Sequence, residues 1–199
     1  MKTLILASAS PRRIELMRQI GLYPQVIPSD CEENVTGLSP EETVSELSRL
    51  KCVNVYERIS PDNLSDINIS ADGYVVIGAD TIVVLDDKIM GKPSSEEDAV
   101  NMLTQLSGRA HKVYTGVTIC DSETNVMHTF TEQTEVVMYE LDGSEIYDYV
   151  NSGEPMDKAG AYGIQGIGAR LIKEIHGDYF NVVGLPVARL NRELKKFMK

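Results

Sequence analysis

Val75-Val76-Ile77-Gly78-Ala79-Asp80-Thr81-Ile82-Val83-Val84-Leu85 is the most apolar run of the chain. Its length and β-branched content predict a sheet strand covered on both faces. Asp80 stands in its middle. A carboxylate there costs free energy unless it is paired, hydrogen-bonded or bound to a metal, so Asp80 is the first candidate for chemistry.

Working outward, residues 3–7 read as a short buried strand. Ser8-Ala9-Ser10-Pro11-Arg12-Arg13 then leads into Ile14, Leu16, Met17 and Ile20 at helical spacing, with Ser10 as N-cap, Pro11 as first helical residue and Gly21 as the stop. A strand follows over 25–28. Ser39 and Glu42 form a capping box for a helix running to about Arg58, and the polar stretch 60–73 reads as an exposed loop. Beyond the Asp80 strand come a turn at Asp86-Asp87 and a helix capped at Ser94-Ser95, ending at Leu106 before Gly108. A hairpin is predicted from 112–120 and 126–139, joined by 121–125. A helix over 144–151, a glycine-rich stretch at 159–168, a strand over 171–175 and a last helix ending in Lys195-Lys196 complete the chain. Early alternation of strands and helices followed by hairpins predicts an α/β or mixed α+β fold around a mixed sheet, not a pure Rossmann unit. Neither GxGxxG nor a Walker A sequence is present.

Composition narrows the function. With 199 residues, 42% hydrophobic and 25% charged, the chain is that of an ordinary globular protein. A formal net charge of -11 argues against binding a nucleic-acid polymer or a membrane surface. No apolar stretch is long enough to span a bilayer, and Leu4-Ile5-Leu6-Ala7 is too short for a signal core, so a cytoplasmic protein is expected. Cys31, Cys52 and Cys120 are spaced like reduced thiols, and His111, His128 and His176 lack metal-ligand spacing.

Local grouping points to a small anion. Arg12 and Arg13 lie in the first turn of a helix, where each cation costs roughly 0.3–1 kcal/mol unless something compensates. A phosphate bound there by backbone N–H groups, guanidinium forks and the hydroxyls of Ser8 and Ser10 removes the conflict. Outward-pointing arginines on a solvated surface are the alternative. Lys51 falls on the apolar stripe Val44, Leu47, Lys51 and Val55, where it either snorkels to the core's edge or meets an anion. Lys92, between Gly91 and Pro93, is a rigidly placed further cation. Glu33 and Asp80 are candidate ligands of a divalent metal, which takes one or two carboxylates together with substrate phosphates. Asp157 and Lys158 are either a surface ion pair or a further carboxylate and phosphate contact.

In order, the segments Ala7 to Arg13, Glu33, Lys51, Gly78-Ala79-Asp80-Thr81, Gly91-Lys92-Pro93, Leu106-Ser107-Gly108-Arg109, Glu154 to Gly166, Gly177-Asp178-Tyr179 and Val183-Gly184-Leu185-Pro186 resemble the Maf family of nucleoside triphosphate pyrophosphatases over essentially the whole chain, 1–199, as one domain. The resemblance implies a fold related to the inosine triphosphate pyrophosphatases, with an elongated mixed sheet, flanking helices and a deep cleft between two lobes. It implies hydrolysis between the α- and β-phosphates with a divalent metal, magnesium or manganese. Asp80 would be the proton acceptor, and Arg12, Thr81 and Gln165 would set substrate choice, matching the branch that acts on dTTP and UTP. A glutamine amide can pair with the N3–H and O4 edge of uracil or thymine, although it can also pair with adenine. Two alternatives stay open: a purine or other non-standard nucleotide pyrophosphatase, and a non-catalytic nucleotide-binding regulator of septum formation. The resemblance also leaves room for a homodimer, and the 60–73 loop is longer than the family minimum.

Overall fold

β1 (Thr3–Leu6), α1 (Pro11–Gln19) and β2 (Gln25–Val26) open the chain, followed by α2 (Pro40–Arg58), β3 (Tyr74–Leu85) and β4 (Lys88–Met90). Next are α3 (Glu96–Leu106), β5 (Ala110–Asp121), β6 (Met127–Met138) and α4 (Gly143–Val150), then three short 3-10 turns between Glu154 and Leu171. β7 (Ile172–His176), α5 (Tyr179–Val183) and α6 (Val187–Leu194) end it. This computed structural model describes residues 2–59 and 69–198.

The seven strands form one mixed sheet in the order β2-β1-β3-β5-β6-β7, with β4 pairing β3. β1 runs parallel to both β2 and β3, whereas β3/β4 and β6/β7 are antiparallel. The expected double-faced strand is β3, in which only Tyr74 and Thr81 are not buried. The turn at Asp86-Asp87 has both residues at positive φ, the geometry that joins β3 tightly to β4. Among the described residues no helix is long and apolar enough to cross a membrane.

The chain forms two compact units, one of residues 1–80, 115–131 and 184–199, the other of residues 81–114 and 132–183. The first has a core of Ile5, Ala7, Cys52, Val55, Ile59, Val76 and Cys120. The second packs Val83, Leu85, Leu103, Leu106, Val113, Val136, Met138, Ile146 and Tyr149 together.

In the first unit α2 lies directly on the backbone of the sheet. A β-carbon on Gly78 would run into the carbonyl oxygen of Ser48, and one on Gly116 into that of Val44. Only glycine permits so close an approach. The expected capping box fixes the start of this helix: Ser39 Oγ accepts from Glu42 N–H, and Glu42 Oε2 accepts from Ser39 N–H at 2.9 Å.

Some local expectations need correction. Ser10 stands at the N-cap of α1, but its hydroxyl closes no cap bond; its N–H donates to Ser8 Oγ at 3.3 Å instead. The glycine-rich stretch forms 3-10 turns, and α5, at five residues, is too short to leave a periodic signal. Of the expected 60–73 loop, residues 60–68 lie outside the described residues, while Ser70 and Gly73 close a tight bridge before β3.

Candidate active site

In the first unit the turn after β1 is pinned to β3 by Ala7 N–H donating to Ile77 O at 2.8 Å. The turn presents Ser8, buried, and Ser10, half-buried, ahead of α1. Arg13 reaches back across it. Its Nη1 donates to Ser8 Oγ at 3.2 Å and its Nε to Gly184 O at 2.8 Å. Burial lowers the proton affinity of this guanidinium, opposed by the charges of Asp80 and Glu33 and assisted by that of Arg12. Asp80, Glu33 and Arg12 are thus each in electrostatic reach of Arg13. No acidic side chain stands in the first turn of α1 to offset the two arginines.

Lys51 projects from α2 toward β3. Its Nζ lies 2.5 Å from Asp80 Oδ1 and 3.0 Å from Glu33 Oε1. The stripe reading of α2 holds, since Val44, Leu47 and Val55 are buried. The lysine does not snorkel to the core's edge: it pairs with the carboxylate of the buried Asp80. Glu33 is the exposed member, its side chain 53% exposed against 12% for Asp80 and 13% for Lys51.

The donor set fits a hard divalent cation shared with a substrate. Two carboxylates already converge on one positive charge, and carboxylate oxygens are what magnesium or manganese prefers. Among the described residues no cluster of three acidic, histidine or cysteine side chains assembles.

In the second unit Thr81, next to Asp80 on β3, is half-buried. Lys92 is exposed beyond β4, and the preceding Gly91 carbonyl accepts from Gly160 N–H at 2.9 Å. Lys158 Nζ donates to Asp157 Oδ1 at 2.7 Å and to Glu154 O at 2.5 Å, so Asp157 and Lys158 pair with each other. Gln165 is half-buried at the entrance of the last 3-10 turn, and its amide caps nothing there.

Two residues given no role by sequence reasoning stand out around that turn. Glu154 accepts from Ile167 N–H at 2.9 Å, from Gly168 N–H at 3.0 Å and from Tyr149 OH at 3.0 Å. The tyrosine hydroxyl in turn accepts from Gly163 N–H at 3.1 Å. In the sequence Glu154 is marked only as the first residue of the segment that resembles the family over 154–166; nothing local foretells bonds to residues thirteen and fourteen positions on.

Comparisons with known proteins extend over nearly the whole chain. A protein of Agathobacter rectalis named dTTP/UTP pyrophosphatase is 51% identical over 200 residues, 98% of each chain. Proteins of the same name from Bacillus cereus and Carboxydothermus hydrogenoformans are 48% identical over 198 residues and 47% over 192; the alignments cover 99% and 96% of this chain, and 96% and 97% of theirs. The family profile described as Maf-like protein matches residues 3–197. With its motifs in order and nearly its whole length matched, the chain belongs to the Maf family.

Proposed function

We propose that the protein is a metal-dependent nucleoside triphosphate pyrophosphatase that converts dTTP and UTP to the nucleoside monophosphate and pyrophosphate. The observation that carries this reading is the Lys51–Asp80–Glu33 cluster with Arg13 in electrostatic reach, two carboxylates and fixed cations set in one unit. The names of relatives about half identical over their whole length support the substrate.

Phosphate esters resist hydrolysis because negative charge shields phosphorus from an incoming water. The start of α1, with Ser8, Ser10, Arg12 and Arg13, would receive phosphate oxygens, and Lys51 would contribute further positive charge. Asp80 would accept a proton from the attacking water as its oxygen bonds to the α-phosphorus. The bond from that phosphorus to the bridging oxygen breaks, and pyrophosphate leaves with the electron pair. Glu33 and Asp80 would hold the divalent ion, which when bound neutralises the phosphates. Arg12, Thr81 and Gln165 would select the nucleotide, Gln165 by offering carbonyl and amide groups to the pyrimidine edge. The reading sets this work in the cytoplasm, where the triphosphate pool lies.

The deciding experiment is a panel of nucleoside triphosphates assayed for pyrophosphate with magnesium and with chelator. Metal-dependent release from dTTP and UTP ahead of ATP, GTP and CTP is expected; release from none of them would end the proposal.

A further inference from the structure

Glu154 and Tyr149 form the densest set of side-chain bonds onto the loop that carries Gln165. The loop is tied at Gly163 through the tyrosine hydroxyl and at Ile167 and Gly168 through the carboxylate. Gln165 stands two residues from the nearest tie on either side. Gly166, at φ +68, makes the turn, and a β-carbon there would come 2.6 Å from Glu154 Oε2. Tyr149 is fully buried, so its hydroxyl is held on a rigid ring. Burial raises the proton affinity of the Glu154 carboxyl, but the N–H groups of Ile167 and Gly168 and the Tyr149 hydroxyl outweigh it, and the group ends below its ordinary range. It is therefore an anion at neutral pH, able to accept all three bonds at once.

A fixed loop matters for chemistry. A glutamine amide that accepts from N3–H and donates to O4 of uracil can, after a half-turn, donate to N3 and accept from the 4-amino group of cytosine. Selectivity between the two pyrimidines thus requires the loop to hold the amide and the neighbouring peptide groups in one arrangement. We propose that Glu154, acting with Tyr149, is a positioning residue that holds the Gln165 loop in the form that accepts uracil and thymine and rejects cytosine. This deepens the proposed function and rests on it.

The test compares kcat and KM for UTP and CTP, by pyrophosphate release with magnesium, in the unaltered protein, E154Q and Y149F. E154Q sets a donor against a backbone N–H; Y149F keeps the buried ring and loses only the hydroxyl. In both variants the UTP:CTP ratio of kcat/KM should fall by about tenfold or more, through a raised KM for UTP, with CTP turnover unchanged. An unchanged ratio, or equal losses on both substrates, would overturn the inference and leave a merely structural role. If E154Q does not fold, Y149F decides alone. The failures separate cleanly. An unaltered protein that releases no pyrophosphate from UTP or dTTP refutes the proposed function. One that prefers UTP, with variants that keep that preference, refutes only this inference. Equal cleavage of UTP and CTP by the unaltered protein refutes base reading at Gln165 and this inference with it.

Discussion

Lys51 and Asp80, twenty-nine residues apart in the chain, face each other at 2.5 Å between α2 and β3. The aspartate is 8% exposed overall, in a strand otherwise almost wholly apolar. The lysine pairs with it, and the same lysine reaches Glu33, so one ammonium contacts both carboxylates.

Replacing Asp80 with asparagine keeps the shape and leaves Lys51 paired with Glu33. As a hypothesis on its role as base, turnover of dTTP should fall by roughly 10²–10⁴ while nucleotide binding, measured by equilibrium dialysis, stays within a few-fold. A variant that turns over at the normal rate would remove Asp80 from the chemistry.

Lys51→Met should be costly for the opposite reason, since it leaves a buried carboxylate without its cation. We predict a loss of about 3 kcal/mol in urea unfolding, because breaking one side of a buried pair strands the other. Millimolar magnesium should restore part of that loss, and restore more than it adds to the unaltered protein. Equal magnesium effects on both would argue that the two carboxylates do not form an ion site.

Gly116→Ala probes the seat of α2. The added carbon meets the Val44 carbonyl oxygen, so the helix must move. Overpacking of this kind costs about 1–3 kcal/mol, or roughly 2–12 °C in melting temperature for a chain of this size. Because α2 carries Lys51, pyrophosphate release should fall as well; a melting temperature within a degree of the unaltered protein would count against the tight seat.

His111 makes stability depend on pH. It is buried, with Nε2 2.6 Å from the Tyr162 hydroxyl, and burial holds its pKa at about 4 against an ordinary 6.5. The folded state therefore resists a proton that the unfolded chain accepts. The sign follows: stability is complete above about pH 6.5 and is lost as pH falls toward 4, by about 3 kcal/mol over that window. Urea titrations from pH 7 to 4 should show this slope, and H111N should lose most of it. Parallel curves for the two proteins would contradict the assignment.

The parts of the fold written in contiguous residues were readable. The β-branched run became β3, Ser39 and Glu42 closed their capping box, and the segments on either side of 121–125 became β5 and β6. The stripe on α2 correctly put Lys51 beside apolar neighbours. What it met was not readable, because its partners come from a distant loop and strand. Ser10 fitted the cap pattern, but backbone geometry gave the Ser8 hydroxyl to its N–H and to Arg13. The 3-10 turns around Gln165 have no apolar period to betray them. They are shaped by Glu154 and Tyr149, whose bonds exist only once the second unit has folded.

The two glycines beneath α2 carry a consequence for how this protein tolerates change. Main chain rests on main chain there, so the height of the Lys51 ammonium above β3 is set at two points by bare backbone. Volume-conserving swaps among the aliphatic residues elsewhere in that interior should cost under about 1.5 kcal/mol, less than a side chain at either glycine. The two positions that set this height have no side chain to mutate harmlessly.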